Sequence, residues 1–364
     1  MCSDRRKSIE LNDLLKEKLF QAETLVADLV KNLESNNLLN VAQIHNSLNA
    51  ITSHNHQIFL TMQQISTMLQ NVEHDEANTR VTTNFPNALT NNAQIRNWLL
   101  TWPQIDELVK MQVPPQKREL FRKTKAANDI TVSQLSAYDS AFDYLRGKLN
   151  TKSQGTDAEK HGCFADISFP NSVFLENIHA AYRLLLAQGV ASQSQFIDVG
   201  CGSGLKVMQA SLFFSRVVGL EYDPGYVNVA RELLEQVHIA SCDVIHGDGI
   251  TFEGYKDFNL VYFYRPMRDP AMLNKLENQI TSTVEPGTIL FAPYEQFYFR
   301  HKTLNCASLG GSLYLAKSTQ SQADALRIKA ESTGTFYKKL LNVPPSIWDP
   351  IIKFSHKNGF GLDS

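Results

Sequence analysis

The segment Phe196–Gly204 carries the residues whose types and spacing suggest chemistry. It reads Phe-Ile-Asp-Val-Gly-Cys-Gly-Ser-Gly, an apolar strand that runs into three glycines at every second position. Glycines at a strand-to-helix turn let the backbone approach a ligand, and the helix that follows offers free N–H groups. A dinucleotide-binding turn needs glycine at its sixth position, where this chain has Leu205. Asp198 would repel a pyrophosphate but not a cation, so the segment predicts a site for a positively charged nucleoside ligand.

Two more acidic strand ends follow at regular spacing. Glu221 ends the apolar segment 216–221 and lies 17 residues after Gly204. This is close to the roughly 20 residues expected before a carboxylate that binds ribose hydroxyls. Asp248 stands in a Gly-Asp-Gly end of the next apolar segment. Because the carboxyl ends of parallel strands meet at one edge of a sheet, we expect the three acids to lie close together.

The pattern of strands and helices predicts the element order of a doubly wound parallel sheet. Strand-like segments alternate with helical patterns at residues 196–199, 216–221, 243–246, 258–264 and 286–291. We expect residues 311–316 and 334–340 to form a closing antiparallel pair.

The Asp-x-Gly-x-Gly-x-Gly motif, followed by two acidic strand ends, resembles class I S-adenosylmethionine-dependent methyltransferases over about residues 138–340. The resemblance implies an α/β, Rossmann-like doubly wound sheet and S-adenosyl-L-methionine as the cofactor. It implies that Asp198 lies near the amino-acid part of the cofactor and that Asp248 binds the adenine edge. The expected cofactor-binding residues are Asp198, Gly200, Cys201, Gly202, Gly204, Glu221, Tyr222, Asp248 and Gly249.

The end of the fourth strand, Tyr262-Phe-Tyr-Arg-Pro266, is the expected acceptor site. Members of the family that methylate nucleobase amines typically have Asn/Asp-Pro-Pro-Tyr/Phe here, and this departure disfavours a nucleobase acceptor. We predict catalytic or acceptor-binding roles for Tyr262, Tyr264 and Arg265, because phenols orient hydroxyls or amines and a guanidinium binds anions. The alternative is structural, with Tyr262 packed on a helix and Arg265 bracing a turn.

The polar, glycine-containing segment 151–170 precedes the first strand and is expected to be a loop. The resemblance implies that such a segment folds over the cofactor as a lid. His161, Phe164 and Phe169 are therefore candidates for the lid or the pocket, and an ordinary surface loop is the alternative.

The N-terminal residues predict an all-α domain at residues 1–135, ahead of a methyltransferase domain at residues 136–364. Apolar residues recur at helical spacing and indicate a long helical hairpin. The segment 35–72 contains no Asp, Glu, Lys or Arg. A helix without charges suggests contact with another helix, either within the chain or at a homodimer interface.

Composition excludes several partner classes. The net charge of −2 and pI of about 6.6 give no electrostatic footprint for nucleic acid. We expect no membrane span, because no apolar run approaches about 18 residues, and we expect no signal peptide. The five cysteines contain no Cys-x-x-Cys pair, so we expect free thiols, a cytoplasmic location and no metal.

The favoured function is methyl transfer to a hydroxyl or amine of a small-molecule acceptor, such as a sugar or an amino-acid-derived metabolite. A protein (lysine-type) methyltransferase recruited through the helical domain is an alternative. It is suggested by a likeness of residues 196–223 to lysine methyltransferases of the disruptor-of-silencing type. A non-catalytic cofactor-binding scaffold is a further alternative, disfavoured by the intact acids and glycines.

Overall fold

The computed structural model describes residues 2–35, 41–76, 86–113, 117–122, 130–150, 154–338 and 346–362. The chain divides into a helical unit, Met1–Gln116 with Leu340–Ser364, and an α/β unit, Lys117–Lys339. These boundaries differ from the predicted division at residues 135 and 136. The C-terminal segment belongs to the helical unit because Trp348 and Ile351 are buried in its apolar core.

The helical unit contains a long antiparallel hairpin. The helices of this unit are α1 (Cys2–Glu34), α2 (Val41–Glu76), α3 (Pro86–Lys110) and α12 (Asp349–Lys357), and α1 and α2 form the hairpin. The hairpin direction follows from its contacts, since Asn32 bonds to Ser47 and Lys18 bonds to Gln57. The helix α2 buries an apolar stripe that includes Ile51 within the same chain. Packing within the chain is therefore observed, and the homodimer remains a prediction.

Among the described residues, the α/β unit has one sheet of seven strands in the order β3-β2-β1-β4-β5-β7-β6. The strands are β1 (Gln195–Val199), β2 (Arg216–Glu221), β3 (Cys242–His246), β4 (Leu260–Phe263), β5 (Ile289–Phe291), β6 (Cys306–Gly310) and β7 (Leu313–Ala316). Pairing is parallel from β3 through β5, and β7 runs antiparallel to both β5 and β6. The predicted doubly wound α/β class is confirmed.

Helices cover both faces of this sheet. The helices of this unit are α4 (Ile130–Leu149), which packs on α6, and α5 (Thr156–Lys160), α6 (Asn171–Gln188), α7 (Leu205–Ala210), α8 (Pro224–Gln236), α9 (Pro270–Thr283), α10 (Glu295–Arg300) and α11 (Gln320–Glu331). Successive residues of a strand point to opposite faces. In β1, Phe196 accordingly packs in one apolar layer, while Ile197 and Val199 pack in the other.

The closing antiparallel pair is a correction to the sequence prediction. The partner of β7 is Cys306–Gly310, and no strand is present at residues 334–338. The remaining two residues of the predicted partner, 339 and 340, lie outside the described residues. The hairpin is favoured because Gly310 and Gly311, with φ of 96° and 57°, form a tight turn that other residues rarely adopt.

The sheet order reverses direction between β1 and β4. Ligands of open α/β sheets bind at the carboxyl ends of the strands where such a reversal occurs. Acidic caps start the next helix at these strand ends. The Asp223 carboxylate, directly after β2, accepts hydrogen bonds from the N–H groups of Gly225 and Tyr226 and starts α8.

Within the described ranges, no helix combines the length and apolarity needed to cross a membrane. The same part of the chain holds no group of three or more Cys, His, Asp or Glu side chains arranged for a metal ion.

Candidate active site

A cavity lies at the carboxyl edge of β1, β2, β3 and β4. Its wall includes most of the residues predicted from sequence: Asp198, Gly200, Cys201, Gly202, Glu221, Tyr222, Gly249, Tyr262, Tyr264 and Arg265. Gly204 and Asp248 lie outside the wall. The structure thus brings together residues from four separate strand ends around one space.

The three glycines shape the turn from β1 into α7. Gly200, Gly202 and Gly204 have φ of 82°, 54° and 79°, which is the left-handed region that favours glycine. Gly204 caps α7, and a Cβ on it would lie 3.0 Å from the Cβ of Ala230 in α8. Glycine is therefore required at Gly204 both for the turn and for the close approach of α8.

The Glu221 carboxylate connects the glycine turn to the end of β2. Its Oε2 accepts from the Gly202 N–H and its Oε1 from the Asp223 N–H, each at 2.9 Å. A carboxylate has about four acceptor sites, so acceptor capacity remains for ligand hydroxyls. Burial raises the pKa of Glu221, while these backbone N–H groups stabilise its charged form.

Asp198 places a buried carboxylate against the cavity. Its side chain is 2% exposed, and within the described part of the chain no hydrogen bond to this carboxylate is present. Burial raises the pKa of Asp198 to about 8, although nearby Lys206 opposes the shift. A buried acid of this kind is satisfied by a cationic ligand group.

Tyr222 and Asp248 are both contacted by His161. The His161 ring stacks on Tyr222 with centroids 4.3 Å apart and planes 4° apart. The His161 Nε2 atom lies 3.2 Å from Asp248 Oδ2. His161 therefore links two predicted cofactor-binding residues, and Asp248, the predicted adenine-binding residue, contacts this histidine and does not line the cavity.

The end of β4 forms the opposite wall. Tyr262 is buried among aromatic rings, including Phe174 of α6 at 5.2 Å, so it both packs on a helix and borders the cavity. Tyr264 lies 4.7 Å from the Phe169 ring. Arg265 has a left-handed φ of 46°, and its guanidinium lies 5.2 Å over the Phe164 ring.

Residues 154–169, which we name the strap, form a roof over the cavity. The Gly155 N–H donates to Asp223 at 2.6 Å, and the Phe164 N–H donates to the Pro266 carbonyl at 3.0 Å. Phe164 and Phe169 line the cavity as predicted, whereas His161 lies beside it. The first residues of the predicted loop, 151–153, lie outside the described residues.

The enclosed space measures about 120 Å³. Ligand pockets usually measure about 300–1,000 Å³. We therefore expect the strap to move outward when a nucleoside ligand enters.

Sequence reasoning missed a group of charged cavity residues: Asp139, Asp143, Arg146, Asp166 and Lys206. The first three come from α4, about 50 residues before β1, and their helical pattern is that of an ordinary amphipathic helix. Lys206 was detectable in principle, since it follows Gly204 by two residues.

Residues 163–303 match the family model described as protein-L-isoaspartate(D-aspartate) O-methyltransferase. This segment contains the glycine turn, all three acidic strand ends and the end of β4. The α/β unit is a class I S-adenosylmethionine-dependent methyltransferase domain. The match covers less than half of the chain and leaves the acceptor unspecified.

The cofactor of the methyltransferase domain is S-adenosylmethionine, and the cavity residues fit it. The cofactor carries an ammonium and a sulfonium, which match the unpartnered Asp198 carboxylate. Its ribose hydroxyls match the remaining acceptor sites of Glu221. The assignment of individual contacts remains a prediction.

Solved structures similar to the methyltransferase domain include three with different described roles. The [4+2]-cyclase SpnF is 16% identical, with 32% of this chain and 46% of that chain covered and a TM-score of 0.27. An RNA methyltransferase from Salinibacter ruber, in complex with S-adenosyl-L-homocysteine, is 24% identical (31% and 72% covered, TM-score 0.26). CalS10, an amino pentose methyltransferase from Micromonospora echinaspora, is 18% identical (48% and 59% covered, TM-score 0.28).

The chain spans about half the length of the first of these structures. At this level of similarity none of the three indicates the acceptor. No curated protein matches the chain significantly.

Proposed function

We propose that the protein transfers the methyl group of S-adenosylmethionine to a hydroxyl or amine of a small-molecule acceptor, such as a sugar or an amino-acid-derived metabolite. The observation that supports this proposal most directly is that Tyr264 and Arg265 line the same cavity as Asp198 and Glu221. The strap lines one side of this space, so a small acceptor requires less displacement of the strap than a folded polypeptide.

On the cofactor side, the bound cofactor supplies an electrophilic methyl group on sulfur. Asp198 holds the ammonium of the cofactor, and Glu221 accepts from the ribose hydroxyls. Once the strap, which carries His161, has moved outward, Tyr222 would pack on the adenine and Asp248 would accept at its edge. These contacts fix the reacting carbon in place, and holding two reactants in the correct geometry removes much of the barrier.

On the acceptor side, Tyr264 orients the hydroxyl or amine and Arg265 binds an anionic group of the acceptor. The guanidinium is planar and offers a fork of donors suited to a carboxylate. Phe164 and Phe169 exclude water from the reacting atoms. Tyr262 supports this wall by packing on Phe174 and Phe291, and burial raises the pKa of its phenol.

A protein acceptor is the second candidate. The matched family model is described as a protein O-methyltransferase, and the helical unit could recruit a polypeptide. The two candidates separate when the purified protein is incubated with methyl-labelled cofactor and a cell lysate. We expect label in the small-molecule fraction. Label only in the protein fraction would replace the small-molecule proposal with the second candidate.

Arg265→Ala is expected to abolish most methyl transfer to the acceptor fraction identified in that experiment, while cofactor affinity stays within about 0.5 kcal/mol. Arg268→Ala is the matched control, because Arg268 also lies over Phe164, at 5.8 Å, yet does not line the cavity. Isothermal calorimetry and label transfer should be measured on both variants. If Arg265→Ala loses cofactor binding together with transfer, Arg265 supports the cofactor or the fold instead.

A further inference from the structure

Lys206 is a cation of the cavity wall to which the proposed function gives no role. It lies in the first turn of α7, two residues after the last glycine of the turn. Its Nζ atom donates to Asn171 Oδ1 at 2.6 Å and to the Phe169 carbonyl at 3.3 Å. The rings of Phe142 and Phe174 flank it at 4.5 Å and 4.6 Å.

Lys206 is a partly buried cation; Asp139 and Asp143 lie near enough to act on its charge, but neither forms an ion pair with it. Among the described residues, no carboxylate lies within ion-pair distance of its Nζ atom, whereas the other cation at this end of the cavity, Arg146, is paired with Asp143 and Asp166. Buried charges are normally paired, and leaving one without a counterion is costly. An anionic group of a ligand would supply the missing charge.

Asp198, whose carboxylate has no hydrogen bond among the described residues, stands at the start of the same glycine turn. Asp198 ends the strand that leads into the glycines, and Lys206 follows them, so both border the cavity from one loop. Their charges are close enough to interact. The Asp198 carboxylate and the Lys206 ammonium together match a ligand group that carries both an ammonium and a carboxylate. An α-amino acid is such a group.

We propose that Asp198 and Lys206 together bind the α-amino-acid end of S-adenosylmethionine, with Lys206 contacting its carboxylate and Asp198 its ammonium. The proposal rests on the proposed function in taking S-adenosylmethionine as the ligand. It adds a contact to the carboxylate of the cofactor. Arg265, on the β4 wall, does not make this contact, because it is assigned to the acceptor.

The titration behaviour of the pair is consistent with this contact. Burial lowers the pKa of Lys206 to about 7 and raises that of Asp198 to about 8. Burial thus disfavours the charged form of each group. A zwitterion that places its carboxylate at Lys206 and its ammonium at Asp198 favours the charged forms of both.

The test compares two ligands on two variants. S-adenosylhomocysteine has both the carboxylate and the ammonium, while its decarboxylated analogue, S-adenosyl-3-thiopropylamine, keeps only the ammonium. Wild-type protein, Lys206→Met and Lys206→Arg are titrated with each ligand by calorimetry. Lys256→Met, at an exposed position outside the cavity, is the matched control.

We expect the wild type to prefer S-adenosylhomocysteine, and Lys206→Met to weaken this ligand by about ten-fold or more. The affinity for the decarboxylated analogue should stay unchanged, so that the preference disappears. Lys206→Arg should retain most of the preference, because the charge is kept. The ratio of the two dissociation constants does not depend on the fraction of protein that is folded.

Two results would overturn the proposal. If Lys206→Met binds both ligands more weakly by the same factor, Lys206 supports the structure of the turn. If its affinity for both ligands is unchanged, Lys206 serves the acceptor instead. Both leave the cofactor assignment intact, because the wild type still binds. A folded wild type that binds neither ligand would reject the proposed function itself.

Discussion

Gly204→Ala is expected to destabilise the methyltransferase domain by about 2–5 kcal/mol. A residue with a side chain costs roughly 1–2 kcal/mol in the left-handed conformation that Gly204 adopts. Its Cβ would also lie 3.0 Å from the Ala230 Cβ and 3.4 Å from the Ala230 Cα, and overpacking of this kind costs about 1–3 kcal/mol more. Because α8 must shift, the affinity for S-adenosylhomocysteine should fall as well.

Gly189→Ala is the matched control for this substitution. Gly189 ends α6 with a φ of 83°, and a Cβ there would meet no atom within 4 Å. The control therefore carries only the conformational strain, about 1–2 kcal/mol, and should leave ligand affinity unchanged. Denaturant unfolding of both variants measures the difference. If Gly204→Ala and Gly189→Ala lower the free energy of unfolding equally, the close approach of α8 to Gly204 does not contribute to the cost.

Glu221→Ala is expected to weaken S-adenosylhomocysteine binding by about 1.5–3 kcal/mol, which corresponds to a roughly 10- to 150-fold higher dissociation constant. The carboxylate is 8% exposed and holds the glycine turn through Gly202, so its removal deprives both the ribose and the turn of acceptors. Glu221→Gln should lose less, because the amide keeps one acceptor oxygen.

The exposed Glu235 on α8 provides the control, since Glu235→Ala changes the same charge away from the cavity. Calorimetry on each variant, together with a melting curve, separates affinity from stability. An unchanged dissociation constant in Glu221→Ala would mean that Glu221 does not touch the ribose.

The parts of the site that depend on local sequence were predictable. The glycines have to adopt left-handed backbone in a strand-to-helix turn, and apolar segments ending in acids indicate strands with their carboxyl ends at one edge. These two regularities predict that Asp198, Gly202 and Glu221 share one site, and all three line the cavity. They also yielded the parallel part of the sheet.

The parts that depend on contacts distant in sequence were not predictable. Arg146 reaches the cavity from α4, and its periodicity is the same as that of any amphipathic helix. The helix α12 joins the helical unit because Trp348 contacts Trp102, with ring centroids 4.8 Å apart, a pairing that no local pattern signals. The sequence pattern predicts a closing pair between residues 311–316 and 334–340, whereas β7 pairs with β6 through the Gly310–Gly311 turn.

The most direct measurement of the central claim is calorimetric titration of the purified chain with S-adenosylhomocysteine and, separately, with NAD. The acidic Asp198 beside the glycine turn favours a cationic nucleoside cofactor and disfavours a pyrophosphate, so the account predicts saturable binding of S-adenosylhomocysteine and none of NAD. Binding of NAD, or no binding of S-adenosylhomocysteine by protein that a melting curve shows to be folded, would contradict it.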